Sequence, residues 1–247
     1  MNGYGRGFFS MTPVVKNIIM INILMFLATA IGARTFGVDL NRLLGLYFPK
    51  SDSFMPLQIV THMFMHANFM HILFNMYAVY IFGQALENVW GPKRFLLYYF
   101  VTGLGAAFVH LTVIAFEYDK LARMLTPEQV KMVINEGASY WKESKLFTDE
   151  AMKSLQILLN TVTVGASGAV FGVLLAFGIL FPNTQLMIIF PPIPIRAKYF
   201  VIFYGVLELF LAFSQPGSNI AHFAHLGGML FGWLLIKYWN KTKKTLY

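Results

Sequence analysis

The chain has 247 residues, of which 57% are hydrophobic and only 12% are charged, and it contains no cysteine. Soluble domains carry about 25% charged residues, so this composition excludes an ordinary soluble enzyme and predicts an all-α polytopic membrane protein. The missing cysteine excludes disulfides, thiolate catalysis and cysteine-ligated metals. In a membrane protein, the net charge of +8 indicates loop orientation and contact with lipid headgroups rather than nucleic acid.

Six apolar runs follow along the chain, and each is predicted to be a transmembrane helix, since a crossing needs about 20 apolar residues. The first run is interpreted as a retained span, not a signal peptide. An even number of spans puts both termini on one side of the membrane. The predicted spans are Val14–Ala33, His62–Gln84, Phe95–Phe116, Ser167–Phe181, Tyr199–Ser214 and Ala221–Trp239.

Basic residues near the ends of the spans indicate the orientation. Short inner loops carry an excess of lysine and arginine in membrane proteins. We therefore expect a multi-pass protein of the plasma (inner) membrane with both termini in the cytoplasm. The cations assigned to the inner face are Arg6, Lys16, Lys93, Arg94, Arg196, Lys198, Lys237, Lys241, Lys243 and Lys244.

Three histidines and Asn75 lie in the second predicted span. His62 and His66 are four residues apart, as are His71 and Asn75, so each pair is predicted to share a helix face. Polar groups inside a span are costly and are candidates for function. Each histidine taken alone is better explained by a hydrogen bond that ties two helices together.

Residues 117–160 are predicted to form a water-facing helical insertion between the third and fourth spans, within a single domain of residues 1–247. The segment holds most of the eleven acidic residues of the chain. Thr126 to Gln129 has the form of a capping box, and Thr148, followed by two acids, indicates a second helix start. Two interpretations stay open: a tolerated surface insertion, or a device that covers the site or recruits substrate.

The fourth span is too short for the bilayer. Ser167–Phe181 would be about 22 Å long at 1.5 Å per residue, whereas the hydrocarbon core is about 30 Å thick. Ser167 would therefore begin its helix below the outer surface, after an irregular Gly165-Ala166 backbone that needs protein or water around it. A Gly-x-Ser-Gly turn entering a helix presents a nucleophile in several hydrolases, although small residues also serve helix packing.

The sixth span begins with two histidines, His222 and His225, followed by Gly228 and Gly232. Small residues four apart predict close helix packing. If this face packs against the fourth span, His225 comes within reach of a serine that needs an adjacent base. Glu208, the acid deep in the fifth span, is interpreted as a buried hydrogen-bonding group to which the sequence assigns no catalytic role, and no acid is predicted beside His225.

Together, three of these runs resemble the three signatures of the rhomboid intramembrane serine proteases, in the family's order and at its span positions. The resemblance covers about residues 14–116 and 161–239. It implies a rhomboid-like bundle of six helices and a serine–histidine dyad that cleaves membrane-anchored substrates without a metal or other cofactor. The runs are His62-x3-His66-x4-His71-x3-Asn75, Gly165-x-Ser167-Gly168 and Ala224-His225-x2-Gly228-x3-Gly232.

The resemblance also implies a role for each matching residue. Ser167 would be the nucleophile and His225 the general base, while His71 and Asn75 would hold the oxyanion together with the Ser167 N–H. Phe171 takes the place of a tyrosine that often stacks on the catalytic imidazole. The Trp-Arg pair usual in the first outer loop is absent, and Asn41-Arg42 comes nearest to it. The supporting positions are His66, His62, Glu87 (expected to steady the first outer loop), Gly165, Gly168, Gly228 and Gly232.

Three other interpretations were weighed. A non-catalytic relative would bind membrane proteins without cutting them, but such relatives generally lack the serine or the histidine that this chain has. A histidine-ligated metal or haem protein would suit the i,i+4 spacing, yet no His-Glu-x-x-His motif is present. A transporter with a broken helix at Gly165–Gly168 would be expected to show an inverted repeat. The expected partners are therefore membrane lipid and single-span transmembrane substrates, not nucleic acid.

Overall fold

The computed structural model describes residues 11–187, 193–214 and 219–242. Within these ranges the chain is mainly helical, with one antiparallel pair of strands in which Leu186 lies opposite Ile195. Three of the cations assigned to the inner face, Arg6, Lys243 and Lys244, lie outside the described residues. The elements are α1 (Pro13–Phe36), α2 (Leu40–Leu44), α3 (Gln58–Thr61), α4 (Phe69–Ala78), α5 (Gln84–Trp90), α6 (Pro92–Ala122), α7 (Pro127–Lys142), α8 (Glu150–Asn160), α9 (Ser167–Leu180), β1 (Gln185–Met187), β2 (Pro194–Arg196), α10 (Ala197–Ser214) and α11 (Asn219–Thr242).

Four helical segments in the described ranges are long and apolar enough to cross a membrane. Many of their exposed side chains are large hydrophobics, such as Leu24, Phe74, Phe108 and Phe203, as expected where lipid replaces water. The helices α9 and α11 correspond to the fourth and sixth predicted spans, but α9 has only 14 residues. The membrane class is therefore confirmed, while the count of six stays a prediction. The four segments are Pro13–Phe36, Phe69–Trp90 (α4, a π turn over Val79–Gly83, and α5), Pro92–Ala122 and Ala197–Ser214.

The second predicted span begins later than the sequence predicts. A short 3-10 turn covers His62–Phe64, and a new helix starts only at Phe69 because the Asn68 side chain caps it, accepting from the His71 N–H at 2.9 Å. Asparagine is among the strongest N-cap residues. The prediction that His62 and His66 share a helix face is therefore wrong, whereas His71 and Asn75 do lie one turn apart on α4.

Glu87 does not lie where the resemblance implies. Its two carboxylate oxygens accept from the backbone N–H groups of Val14 and Val15, each at 2.9 Å. These groups belong to the first turn of α1, which attracts an anion because its N–H groups have no partner within the helix. The first outer loop begins at the other end of α1, so the prediction that Glu87 steadies this loop is wrong.

The centre of the bundle is a close contact among α6, α9 and α11. Gly228 lies directly against the carbonyl of Gly168, Gly168 lies against Ala106, and Gly232 lies against the Tyr98 hydroxyl, so a Cβ on any of these glycines would overlap its neighbour. The predicted close-packing face of the last helix is confirmed. This face of α11 contacts two helices, because Gly228 lies against α9 and Gly232 lies against α6.

We expect Gly228→Ala to destabilise the protein, because its new methyl group would meet backbone atoms of Gly168 that cannot rotate away. Overpacking of this kind typically costs about 1–3 kcal/mol. Gly205→Ala is the matched control: its Cβ would meet only the flexible Met229 side chain, at 3.4 Å. Thermal unfolding in detergent should show a lower Tm for Gly228→Ala alone. Equal melting temperatures would contradict this account of the helix contact.

The segment after the third span folds much as the sequence predicts, with α6 running on to Ala122. Thr126 and Gln129 form the reciprocal capping box at the start of α7. The second helix, α8, starts one residue later than predicted, because Asp149 rather than Thr148 is its N-cap. Apolar side chains from α6, α7, α8 and the first loop form a separate small core: Phe48, Ile114, Tyr118, Leu121, Val133, Met152, Leu155 and Leu159.

The first loop lies against this segment. The ring of Phe48 is 5.6 Å from that of Tyr118, and the Lys50 ammonium lies 4.0 Å above the same tyrosine ring. An isolated bridge also pairs the backbone of Leu46 with Thr163. Residues just before the Gly-x-Ser-Gly turn are thereby tied to the first loop.

Candidate active site

The backbone turns sharply just before Ser167. Gly165 has φ of 131°, a conformation that residues with a Cβ rarely adopt. Its N–H donates to the carbonyl of His62 at 2.9 Å. The irregular backbone expected before the short helix is thus hydrogen-bonded by protein, as is required at membrane depth.

Ser167 is the first residue of α9 and lies beside His225 of α11. His225 Nε2 is 2.9 Å from Ser167 Oγ, which is within the range of a nucleophile bonded to its general base. The contact of Gly228 with Gly168 brings α11 close to α9 near these two side chains. Serine and imidazole from two separated stretches of sequence therefore meet in the geometry needed for acyl transfer.

Phe171 packs on the imidazole of His225. The two rings are parallel, with an interplanar angle of 7° and centroids 4.3 Å apart. This is the stacking predicted for Phe171, one turn after Ser167 on the same helix. Stacked rings contribute about 0.5–1.5 kcal/mol beyond burial, so the contact helps to fix the ring plane of His225.

His71 and Asn75 lie on α4 beside the turn. The His71 ring faces Gly165 so closely that a Cβ there would approach its Cε1 and Nε2 atoms to 2.8 Å. Asn75 is buried, and its Nδ2 donates to the His71 carbonyl at 2.9 Å. An asparagine amide has two donor hydrogens, and this contact uses one of them.

The other two histidines of the motif lie behind His71. The ring of His66 is edge-on to that of His71, with centroids 5.0 Å apart, and the His66 carbonyl accepts from Asn41 Nδ2 at 3.4 Å. His62 Nδ1 lies 2.9 Å from the Gln58 carbonyl. Both are buried and make contacts that fit supporting positions.

The N-terminus of α9 lies at Ser167. No side chain caps this helix. Its first N–H groups have no partner within the helix and carry the positive end of the helix dipole. A cavity of about 30 Å³ adjoins Ser167 and is lined by His62, His110, Thr163 and Gly165 among others. Its lining is mainly apolar but includes the polar side chains of Ser167, Thr163 and His110, and its volume is enough for about one water molecule.

A carboxylate lies on the far side of the imidazole. Glu208 Oε2 of α10 is 3.1 Å from His225 Nδ1 and 2.7 Å from His222 Nδ1. The prediction that no acid lies beside His225 is therefore wrong. An acid inside a span is itself a signal of function, but its partner depends on how α10 faces α11. In the described ranges, these three side chains also form a group that could hold a metal ion, with ligand atoms within 4.8 Å of one another.

Comparison with known proteins adds an independent finding. Residues 53–241 match a family model described as "Rhomboid domain". The chain is 28% identical to "Putative rhomboid protease YdcA" of Bacillus subtilis over 178 residues, which are 72% of this chain and 64% of that relative. It is 25% identical to Rhomboid protein 1, mitochondrial, of Saccharomyces cerevisiae over 192 residues, or 76% of this chain and 44% of the relative. It is 24% identical to rhomboid protease AarA of Providencia stuartii over 182 residues, or 70% of this chain and 52% of the relative.

Proposed function

The chain belongs to the rhomboid family, and we propose that it is an intramembrane serine endopeptidase that uses a Ser167–His225 dyad. One observation carries this proposal: the 2.9 Å approach of His225 Nε2 to Ser167 Oγ. The names of relatives such as rhomboid protease AarA support it. Binding a membrane protein without cutting it would not require a serine hydroxyl and an imidazole at this distance.

The first half of the reaction forms an acyl-enzyme. Ser167 Oγ attacks the scissile carbonyl carbon while His225 Nε2 takes the hydroxyl proton. The tetrahedral intermediate then collapses, the C–N bond breaks, and the imidazolium gives its proton to the leaving amine. The new carboxyl end of one fragment stays bound to Ser167 as an ester.

The second half consumes water. A water molecule gives a proton to His225 and attacks the ester, and Ser167 recovers its proton as the acid product leaves. The cavity beside Ser167 has room for a water molecule inside an apolar bundle. In both halves, negative charge develops on the carbonyl oxygen, next to the uncapped N-terminus of α9.

We expect His71→Ala and Asn75→Ala each to slow turnover by about 10²–10³, the usual cost of losing one oxyanion donor. The Ser167 backbone N–H remains in both variants, so turnover should fall without vanishing. Steady-state kinetics on a reconstituted substrate checks this. A change in KM with kcat unaltered would show that the two side chains support the Gly165 turn and do not donate to the oxyanion.

Substrates are proposed to be single-span transmembrane proteins with small or helix-breaking residues near the outer membrane face. The test is to reconstitute the purified protein in liposomes with such a substrate and to follow the fragments by gel and mass spectrometry, with and without a chelator. Cleavage that survives the chelator supports the proposal. A substrate that binds but is never cut would favour the alternative, a catalytically silent membrane-protein-binding module.

We propose six spans in a plasma (inner) membrane with both termini in the cytoplasm. The yeast relative, by contrast, is named as mitochondrial. The absence of native cysteine makes the orientation easy to measure. Single cysteines introduced at Lys93 and at Lys145 should be labelled by an impermeant maleimide from opposite sides of the membrane. Labelling from the same side would overturn the topology.

We propose that residues 117–160 are a water-facing insertion within one membrane domain of residues 1–247. The capped helices α7 and α8 and their separate small core support this. Because none of the proposed catalytic side chains lies in the segment, its role is limited to shape: a tolerated surface insertion, or a cover that influences which substrates enter.

A further inference from the structure

Glu208 lies between two imidazoles inside the bundle. Its side chain is almost fully buried, with the residue 7% exposed, and a single oxygen, Oε2, approaches the Nδ1 atoms of both His222 and His225. A buried carboxylate is costly unless it is paired and hydrogen-bonded. Both of these partners come from α11, one turn apart.

The position of the proton on His225 connects this acid to catalysis. To take the proton of Ser167, Nε2 must be the bare nitrogen, so the neutral ring must carry its hydrogen on Nδ1. Nδ1 is the atom that faces Glu208 at 3.1 Å. In a serine protease triad, an acid in this place fixes the tautomer and stabilises the imidazolium as it forms.

The contact is not yet an aligned hydrogen bond. Among the described residues, His225 Nδ1 is buried without a partner of good angular geometry, and His222 makes the shorter contact to the same oxygen. Catalytic hydrogen bonds in apo structures are often long or poorly aligned and tighten only in the complex with substrate. The 3.1 Å approach already places a carboxylate where the imidazolium charge develops.

A metal ion fits these distances less well than a shared proton. Zinc ligands lie about 2.0–2.2 Å from the ion in a tetrahedral arrangement, which separates neighbouring ligand atoms by about 3.4 Å. The 2.7 Å distance from His222 Nδ1 to the carboxylate is instead that of a charge-assisted hydrogen bond, and the 3.1 Å distance from His225 Nδ1 is within hydrogen-bonding reach. The group therefore acts through proton contacts.

We propose that Glu208 is a positioning residue that turns the dyad into a Ser167–His225–Glu208 triad, with His222 holding the carboxylate in place. The proposal rests on the serine protease function proposed above. Glu208 touches neither substrate nor oxyanion, so it affects catalysis only by fixing the tautomer of His225 and stabilising its positive charge. Phe171 fixes the plane of the ring, and Glu208 fixes which nitrogen carries the hydrogen.

The test is Glu208→Gln, which keeps volume but removes the charge. Its amide can also turn an N–H toward Nδ1, which would stabilise the wrong tautomer. Losing the acid costs about 10⁴ in kcat in a complete triad. Because Phe171 also holds the ring here, we expect kcat to fall by about 10², with KM and Tm close to those of the parent.

Glu87→Gln is the matched control, since Glu87 is also a buried acid, 3% exposed, but binds the first turn of α1. It should lower Tm by a few degrees and leave kcat unchanged. Parental kcat in Glu208→Gln would overturn the triad while leaving Ser167-dependent cleavage by the parent intact. Failure of the parent to cleave would instead overturn the proposed function.

A second pair keeps the test decisive if Glu208→Gln does not fold. Glu208→Asp and Glu208→Asn have the same size and differ only in charge. We expect kcat to be at least about tenfold higher for the aspartate variant, because only it can stabilise the imidazolium. Equal kcat values for the two variants would overturn the proposal.

Discussion

Ser167→Ala is expected to abolish cleavage while leaving the fold intact. The change removes one hydroxyl at the start of α9, where the helix has no side-chain cap to lose. Without the oxygen, no acyl-enzyme can form, and triad proteases that lose the nucleophile fall by about 10⁶ in kcat. Substrate fragments measured by mass spectrometry after long incubation should match those of a protein-free control.

The fold of this variant can be checked separately. Its Tm and its elution volume in detergent should equal those of the parent, since alanine has a high helix propensity and fills less space than serine. Turnover equal to that of the parent would show that Ser167 is not the nucleophile, and it would overturn the proposed protease function.

His225→Ala is expected to reduce kcat about as severely as loss of the serine, by about 10⁶. When residues act as one catalytic unit, removing a single member costs nearly as much as removing all of them. The imidazole is the one base within hydrogen-bonding reach of Ser167 Oγ among the described residues. Without it, the hydroxyl stays protonated at neutral pH. Single-turnover assays at high enzyme concentration give the range needed to measure such a loss.

His222→Ala is the matched comparison, since it removes the same side chain one turn away on α11. His222 contacts Glu208 and is not bonded to Ser167, so the variant should retain substantial activity. If His222 proved indispensable and His225 dispensable, the assignment of the general base would be wrong.

Local signals predicted much of the fold. The apolar runs placed most helices, and the Thr126 capping box placed the start of α7. The short apolar run after Gly165 placed the start of α9 at Ser167. The break before α4 was also readable, because Asn68 is a strong N-cap, but the long apolar run concealed it.

The errors concern side chains that act between distant helices. Glu87 binds the start of α1, more than seventy residues earlier, and Glu208 reaches two histidines of the following helix. Such contacts depend on how each helix is rotated about its axis, which packing decides and a single sequence does not reveal. The approach of His225 to Ser167 was predictable because the small residues that permit close packing lie beside both side chains.

The central claim is that His225 activates Ser167, and covalent labelling measures this most directly. A small fluorophosphonate reacts with an activated serine whatever the natural substrate is. After exposure of the purified protein, intact mass and peptide sequencing should find one adduct, on Ser167, which disappears in His225→Ala. Absence of an adduct in the folded parent, or an adduct on Ser167 that persists without His225, would contradict the account.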